Sequence, residues 1–177
     1  MAWLTIRKWF FLLFFGCAGL LAYAMFLQQV EMLEPCPLCI LQRIAFVAIG
    51  LFALLAGLHN PARPGRLIYT ILISISTLFG IAIAGRHVWL QHLPPELVPD
   101  CGPGLGYMLD AFPLLDTIEM VLTGSGSCAE VSWSFLGLSM PEWTLIAYII
   151  ILLGSVWMWL RSRSNNNNAQ LPPYLGT

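Results

Sequence analysis

Four long apolar stretches, separated by polar and proline-containing segments, set the hydrophobic pattern of this chain. They cover residues 9–27, 40–58, 67–90 and 143–160. Each is close to the roughly 20 apolar residues that a helix needs to cross a bilayer. Charged residues occur only in the second and third stretches, as Arg43 and Arg86. The pattern predicts an all-α integral membrane protein, a bundle of four transmembrane helices.

The longest polar interval, residues 91–142, contains an amphipathic pattern of its own. Apolar residues recur there at helical spacing, namely Leu105, Met108, Leu109 and Phe112, then Leu114, Leu115, Ile118, Val121 and Leu122. This spacing predicts one or two short helices lying on the membrane surface or packed on the bundle. We therefore expect one membrane domain over residues 1–164, with loops at 28–39 and 91–142, and a disordered tail at 165–177.

Composition agrees with a membrane protein and argues against nucleic-acid binding. Hydrophobic residues make up 58% of the chain, charged residues 10%, and the mean hydropathy is +0.77. A soluble domain carries about 25% charged residues. The net charge is −1, so the chain has no basic field that would attract nucleic acid.

The charged residues divide between the two sides of the predicted bundle. Six basic residues precede the first span, join the second to the third, or follow the fourth: Arg7, Lys8, Arg63, Arg66, Arg161 and Arg163. All nine acidic residues fall in the other two loops. The positive-inside rule then places both termini in the cytoplasm and both acidic loops outside. A cleaved signal peptide is the alternative for the first stretch, but its 19 residues exceed the roughly 7–15 of a signal-peptide core.

Four of the five cysteines fall on the outward side of this topology. Cys36 and Cys39 lie at the outer end of the second span, and Cys101 and Cys128 lie in the long outer loop. Disulfides form and persist on that oxidising side. Cys17 lies inside the first span without an evident partner, as is typical of a small packing residue.

The Cys36 and Cys39 pair is open to a metal interpretation and to a redox interpretation. A structural zinc site needs four ligands, but the chain has no second Cys-x-x-Cys, and the spacing of His87 and His92 completes no known pattern. Haem attachment needs a histidine directly after Cys39, where Ile40 stands. We therefore expect no metal here.

The residues around the pair favour redox chemistry. Pro37 suits the first turn of a helix, which places Cys39 at the positive end of the helix dipole. Arg43 lies one turn further along the same face. Both effects favour a thiolate at Cys39. A cation inside a span is itself typical of a functional site, although Arg43 could also extend to the outer headgroups.

Two interpretations also exist for Cys101 and Cys128. A bond between them would close a loop of about 28 residues and stabilise the fold by about 3.5 kcal/mol, as a static crosslink does. Glycine and proline flank both cysteines, in PDCGPG and GSGSCAE. Mobile flanks suit a disulfide that has to be reached and exchanged.

Taken together, these features resemble the DsbB family of bacterial inner-membrane quinone reductases, which reoxidise the periplasmic thioredoxin-like oxidase DsbA. The resemblance rests on PCPLC followed by Arg43, on four spans, on the paired loop cysteines and on GSGSCAEVSWSFLGLSMPEW before the fourth span. It covers nearly the whole chain. It implies a membrane protein that oxidises a DsbA-like periplasmic partner and reduces ubiquinone or menaquinone.

The resemblance also implies a role for each cysteine. Cys101 forms the mixed disulfide with the reduced partner. Cys128, released as a thiolate, attacks the Cys36–Cys39 bond. Cys39 then faces the quinone, with Arg43 beside it to stabilise the negative charge. The long outer loop of this chain has no basic residue, and this departure from the family bears on partner docking or lipid contact.

A histidine near the outer end of the third span lies close to the quinone in this family. An ungapped match of that segment points to His92 in this chain. His87 and Arg86 are the neighbouring candidates.

Two other classes of function remain open at this point. A non-enzymatic scaffold with one static loop disulfide explains Cys101 and Cys128 but gives Arg43 no role. A metal-handling membrane protein would use Cys36, Cys39 and the outer histidines, and it leaves the loop pair unexplained.

Overall fold

The computed structural model describes residues 2–30, 32, 35–98, 107, 110–123, 126–129 and 133–168. Its helices are α1 (Ala2–Val30), α2 (Pro37–His59), α3 (Arg63–Gln91), α4 (Leu114–Thr123), α5 (Gly126–Ala129) and α6 (Met140–Asn168). A 3₁₀ turn covers Pro95–Leu97. Strands β1 (Ser134–Phe135) and β2 (Leu138–Ser139) pair in an antiparallel hairpin.

Four helices, α1, α2, α3 and α6, are each long and apolar enough to cross a membrane. The predicted bundle of four transmembrane helices is therefore confirmed. Helices α2 and α6 each begin three residues before their apolar stretches, at Pro37 and Met140. Proline is well tolerated at the first helical position, where its missing N–H has no intrahelical acceptor.

The structure differs from the sequence predictions at two places. Helix α6 continues to Asn168, so residues 165–168 are helical where a disordered tail was expected; residues 169–177 lie outside the described part. The hairpin of β1 and β2 was not predicted, because each strand has only two residues. Its turn uses Leu136 and Gly137, both with positive φ, and only glycine adopts that conformation without strain.

The hairpin leads directly into α6 through a capping contact. The Ser139 backbone N–H donates to Glu142 Oε2 at 2.6 Å, and the Ser139 hydroxyl donates to the same oxygen at 3.0 Å. The Trp143 indole donates to the Phe135 carbonyl at 3.1 Å. The first of these bonds satisfies a backbone N–H that the helix N-terminus leaves unpaired, and all three fix the hairpin against the bundle.

Helix α2 packs between α1 and α3, and α3 packs on α6, whereas α1 contacts α6 much less. The fully buried Tyr148 holds the centre of the bundle together. Its ring stacks on Phe46 at 4.2 Å, and its hydroxyl donates to the Gln42 carbonyl at 2.6 Å. A Cβ at Gly80 would lie 2.5 Å from the Tyr148 ring, so glycine is required for this close approach of α3 and α6.

The predicted amphipathic helix is present as α4, which packs against α2. Thr117 and Val121 are buried on one face, and Leu115 and Asp116 are exposed on the other. The first part of that prediction, at Leu105, Met108 and Leu109, lies outside the described residues. Helix α4 therefore covers the end of the bundle where α2 begins, which we call the cysteine end.

Candidate functional site

The cysteine pair is built by the start of α2. Cys36 is the N-cap residue, in an extended conformation, and its sulfur accepts a hydrogen bond from the Cys39 N–H at 3.3 Å. Pro37 occupies the first turn, as predicted. The resulting turn brings the sulfur atoms of Cys36 and Cys39 to 2.9 Å from each other. Helix capping therefore arranges the two thiols as a facing pair.

A third cysteine reaches this pair from the second loop. Helix α5 packs against α3 and carries Cys128, which is 1% exposed and hydrogen-bonded to Cys36. This bond with Cys128 raises the pKa of the Cys36 thiol, and the bond with Cys39 and burial raise it further. The described cysteines form no disulfide with one another. Cys101 lies outside the described residues, so Cys128 is the one described cysteine of the second loop at this site.

His87 on α3 completes the group of side chains around the sulfur atoms. It is 2% exposed, its Nε2 lies 3.8 Å from Cys36 Sγ, and its ring is also hydrogen-bonded to Cys39. Its Nδ1 lies 3.2 Å from the side-chain nitrogen of Gln42. One ring nitrogen therefore faces the thiols while the other is held by an amide.

Gln42 is a buried polar residue that connects three helices. Its side chain contacts His87 on α3 and accepts a hydrogen bond from the Thr144 hydroxyl on α6 at 2.8 Å, and its carbonyl accepts from Tyr148. An amide carries both a donor and an acceptor, so Gln42 can pair with either tautomer of His87 by rotating its terminal group. The sequence analysis noted Gln42 only as an interruption of an apolar stretch. The signal in the sequence that could have identified Gln42 was a polar amide inside an apolar stretch, one residue before Arg43.

A cavity of about 460 Å³ lies beside this group, between α1 and α6 under the hairpin. Its wall is largely apolar, with Tyr23 from α1, Trp133 just before the hairpin, Phe135 within it, and Trp143 and Ile150 of α6 among its lining residues. Its polar lining comes mainly from one face of α2. That face contributes Cys39, Gln42 and Arg43.

Arg43 is fixed toward α1. Its Nη1 donates to Gln28 Oε1 at 2.6 Å and to Met25 Sδ at 3.6 Å. These partners are neutral, so the positive charge of Arg43 is not cancelled by a carboxylate in these contacts. The cavity thus combines an apolar wall with a half-buried sulfur and a cation.

The predicted residues of the third span fall in different places. His87 lies against the cysteine sulfur atoms. His92 is exposed at the end of α3, where its Nδ1–H donates to the Val88 carbonyl at 2.9 Å. Arg86 lies over the Trp89 ring at 4.3 Å. None of the three is among the described residues that line the large cavity.

The geometry of the pair also bears on metal binding. The donor atoms of Cys36, Cys39 and His87 lie within 4.8 Å of one another, as a metal site would require. Two thiolates on one tetrahedral zinc, each at about 2.3 Å, would be about 3.8 Å apart. The two sulfur atoms are closer than this, at 2.9 Å. Their arrangement suits a disulfide pair better than a shared metal ion.

Four helices long and apolar enough to cross a membrane, with three cysteine sulfurs in contact at one end, indicate a membrane protein of the thiol–disulfide oxidoreductase class. Comparison with known proteins agrees with this class. The family profile described as "Disulfide bond formation protein DsbB" matches residues 6–158, and the chain belongs to the DsbB family.

Several curated relatives carry the name Disulfide bond formation protein B. The one from Nitrosococcus oceani is 54% identical over 168 residues, covering 95% of this chain and 98% of the relative. The one from Hahella chejuensis is 54% identical over 160 residues, covering 90% and 97%. The one from Acinetobacter baumannii is 47% identical over 142 residues, covering 80% and 83%. The chain is thus a multi-pass membrane protein of disulfide bond formation.

Proposed function

We propose that this protein oxidises the cysteine pair of a DsbA-like, thioredoxin-fold partner in the periplasm and passes the electrons to a membrane quinone, ubiquinone or menaquinone. The cysteine end then faces the periplasm of a bacterial inner membrane, with both termini in the cytoplasm. One observation carries the proposal. A continuous path of sulfur atoms leads from Cys128 through Cys36 to Cys39, and Cys39 lines an apolar cavity between α1 and α6.

The exchange begins at a Cys101–Cys128 disulfide. A thiolate of the reduced partner attacks Cys101, and Cys128 leaves as a thiolate. The partner's second thiolate then breaks the mixed disulfide and frees Cys101. The partner has lost two electrons and two protons and holds a new disulfide.

The second exchange moves these electrons to the pair on α2. Cys128 attacks the sulfur of Cys36 in a Cys36–Cys39 disulfide, and Cys39 leaves as a thiolate. Cys101 then attacks Cys128, which restores the loop disulfide and leaves Cys36 and Cys39 reduced. The hydrogen bond between Cys128 and Cys36 supports attack at that sulfur, because it gives Cys128 direct contact with its target.

The large cavity suits the quinone ring and tail. Its apolar wall lies where α1 and α6 contact each other little, so a membrane-dissolved molecule can enter sideways from the bilayer. A bound quinone supplies an acceptor for two electrons and two protons. Arg43, which shares the cavity wall with Cys39, provides positive charge for oxygen atoms that become negative on reduction.

Closing the Cys36–Cys39 bond again requires a base. Forming that bond passes two electrons to the quinone and removes the proton of Cys36, and the raised pKa of Cys36 means that this proton needs an acceptor. His87 Nε2, 3.8 Å from Cys36 Sγ, is placed to accept that proton, with Gln42 supporting the opposite ring nitrogen. We assign His87 this role in place of direct quinone contact, because the cavity wall does not include it.

The electron path is tested with a partner whose second, resolving cysteine is replaced by alanine. This partner should accumulate a mixed disulfide with Cys101 of the wild-type protein, because its one thiolate attacks the Cys101–Cys128 bond, Cys128 leaves, and no second partner thiolate remains to free Cys101. Non-reducing electrophoresis and mass spectrometry of the purified complex would identify the cysteine that holds the partner. A matched Cys17→Ala variant should accumulate the same complex, whereas Cys101→Ala should accumulate none. Trapping through Cys36 or Cys39 in place of Cys101 would contradict the proposed order.

A substitution at Arg43 separates the two half-reactions. Arg43→Gln should slow quinone reduction by about 10–100-fold, the loss expected for a hydrogen bond to a charged group, and should raise the quinone KM. Oxidation of the partner by the pre-oxidised protein, measured in a single turnover without quinone, should keep its rate. Equal losses in both assays would mean that Arg43 mainly holds α1 against α2 through Gln28.

A further inference from the structure

The opposite end of the bundle contains a second, much smaller cavity. We call this the basic end, because Arg7, Lys8, Arg63, Arg66, Arg161 and Arg163 lie there in the sequence. The cavity has a volume of about 30 Å³ and lies between α1, α3 and α6. Trp9, Arg66, Thr70 and Ser155 contribute the polar atoms of its lining residues.

Three polar atoms of these residues have no hydrogen-bond partner. They are Trp9 Nε1, Arg66 Nε and Ser155 Oγ, all fully buried as atoms. Only one other buried side-chain nitrogen or oxygen in the described residues lacks a partner, and it is Gln91 Oε1 at the far end of α3. An unpaired buried polar atom costs about 1–3 kcal/mol. Three such atoms at one cavity therefore indicate a group that is bound there.

The packing of α1 on α6 determines where the Trp9 indole lies. A Cβ at Gly154 would lie 2.5 Å from the Trp9 ring, so glycine is required for the close contact of the indole with α6. The next residue, Ser155, is 5% exposed and lines the same cavity. Trp9 therefore packs beside Ser155, and both residues line the same cavity.

The chemistry of the three atoms specifies the bound group. The Trp9 indole and the Arg66 Nε can only donate hydrogen bonds, and the Ser155 hydroxyl can donate as well. The occupant must therefore accept at least two hydrogen bonds. The volume is enough for one oxygen-sized atom, because a water needs about 10–15 Å³ of such space.

Charge distinguishes an anion from a neutral water. Residues 1–30, 35–95 and 143–177 contain no aspartate or glutamate, so no acidic side chain of the basic end could pair with Arg66. Partly buried charges are normally paired. Phospholipid headgroups supply phosphate at the depth where membrane-spanning helices end. Helix α3 begins at Arg63, three residues from Arg66.

From these observations we propose that Trp9, Arg66 and Ser155 form a binding site for an anionic phosphodiester oxygen, supplied by a phospholipid headgroup. The lipid phosphate neutralises Arg66 and joins α1, α3 and α6 at the basic end. The site is about one membrane thickness from the cysteines and takes no part in the thiol chemistry.

Native mass spectrometry of the full-length protein in detergent tests the site, with phosphatidylglycerol as the probe. The wild type should retain one phosphatidylglycerol more tightly than phosphatidylcholine, whose choline group competes for the phosphate. Arg66→Gln should weaken that binding about 10–100-fold, and Trp9→Phe or Ser155→Ala about 2–10-fold, as expected for charged and neutral hydrogen bonds. Phosphatidylglycerol should also raise the Tm of the wild type more than that of the three variants.

Arg7→Gln is the matched control, because it removes a cation from the same end without touching the cavity lining. Equal weakening by Arg7→Gln and Arg66→Gln would overturn the proposal in favour of general charge attraction. Unchanged binding in both Trp9→Phe and Ser155→Ala, with wild-type Tm values in the absence of lipid, would show that water fills the cavity. Displacement of the lipid by millimolar inorganic phosphate would assign the site to free phosphate and overturn the lipid assignment.

Discussion

Cys39→Ser is expected to abolish quinone reduction by the purified protein, with a loss of at least about 10³-fold, as for removal of an essential nucleophile. Cys39 is the one cysteine among the described residues that line the large cavity. Serine keeps the size of the side chain, but its oxygen cannot form the disulfide or pass on the electrons. The measurement is the loss of quinone absorbance after reduced DsbA-like partner is added.

Cys17→Ser provides the matched control for this prediction. Cys17 is buried in α1 and packs against Gly50 of α2, well inside the span. Its loss should leave the rate within about twofold, because no step of the exchange uses it. Quinone turnover that survives in Cys39→Ser would mean that electrons leave through another sulfur, and the order Cys128, Cys36, Cys39 would be wrong.

The same assay separates the three classes of function left open by the sequence. A scaffold with a static loop disulfide predicts no quinone turnover even in the wild type. A metal-handling protein predicts stoichiometric zinc on Cys36, Cys39 and His87, which Cys39→Ser would lower without any effect on quinone. Only the redox path predicts quinone turnover that is lost when any one of the four outer cysteines is replaced.

The membrane spans could be predicted because they depend on a strong and local signal. Runs of apolar residues have to be helical in a bilayer, where every backbone N–H and C=O must be paired within the segment. The start of α2 was equally local, since Pro37 fits the first turn and Cys36 can cap it. The pairing of Cys36 with Cys39 follows from that turn alone.

The choice between the two histidines could not be made in this way. His87 and His92 are five residues apart, which corresponds to a rotation of about 140° around a helix. They therefore cannot face the same neighbour. An ungapped match of the segment gives the position of a histidine along α3. Which face of α3 meets α2 depends on how the two helices pack. In the structure that face contains His87, with Gln42 beside it.

The partners of Gln42 could not be predicted from the sequence either. Thr144 is 102 residues away along the chain and Tyr148 is 106 residues away. Both contacts exist because α6 packs close to α3 at Gly80, where a single Cβ would prevent it. Long-range contacts of this kind depend on the order of helices in the bundle, and hydrophobicity does not specify that order.

His87→Asn is expected to slow quinone reduction by about 10²-fold, within the range for loss of a general base. Asparagine can still contact Gln42, but its amide cannot accept a proton from Cys36. The loss should appear in kcat while the quinone KM stays unchanged, since His87 does not line the cavity. Stopped-flow absorbance of the quinone, with the partner pre-reduced and in excess, measures both quantities.

The other half-reaction is the internal control for this variant. Cys36 is attacked by Cys128 in that step and needs no base, so single-turnover oxidation of the partner should keep its rate in His87→Asn. His92→Asn tests the alternative histidine on the same helix and should leave both half-reactions intact, because His92 is exposed and bonded to Val88. A lower kcat in His92→Asn, without one in His87→Asn, would assign the role of the base to His92. Equal slowing of both half-reactions in His87→Asn, together with a lower Tm, would mean that His87 mainly supports the packing of α3 on α2.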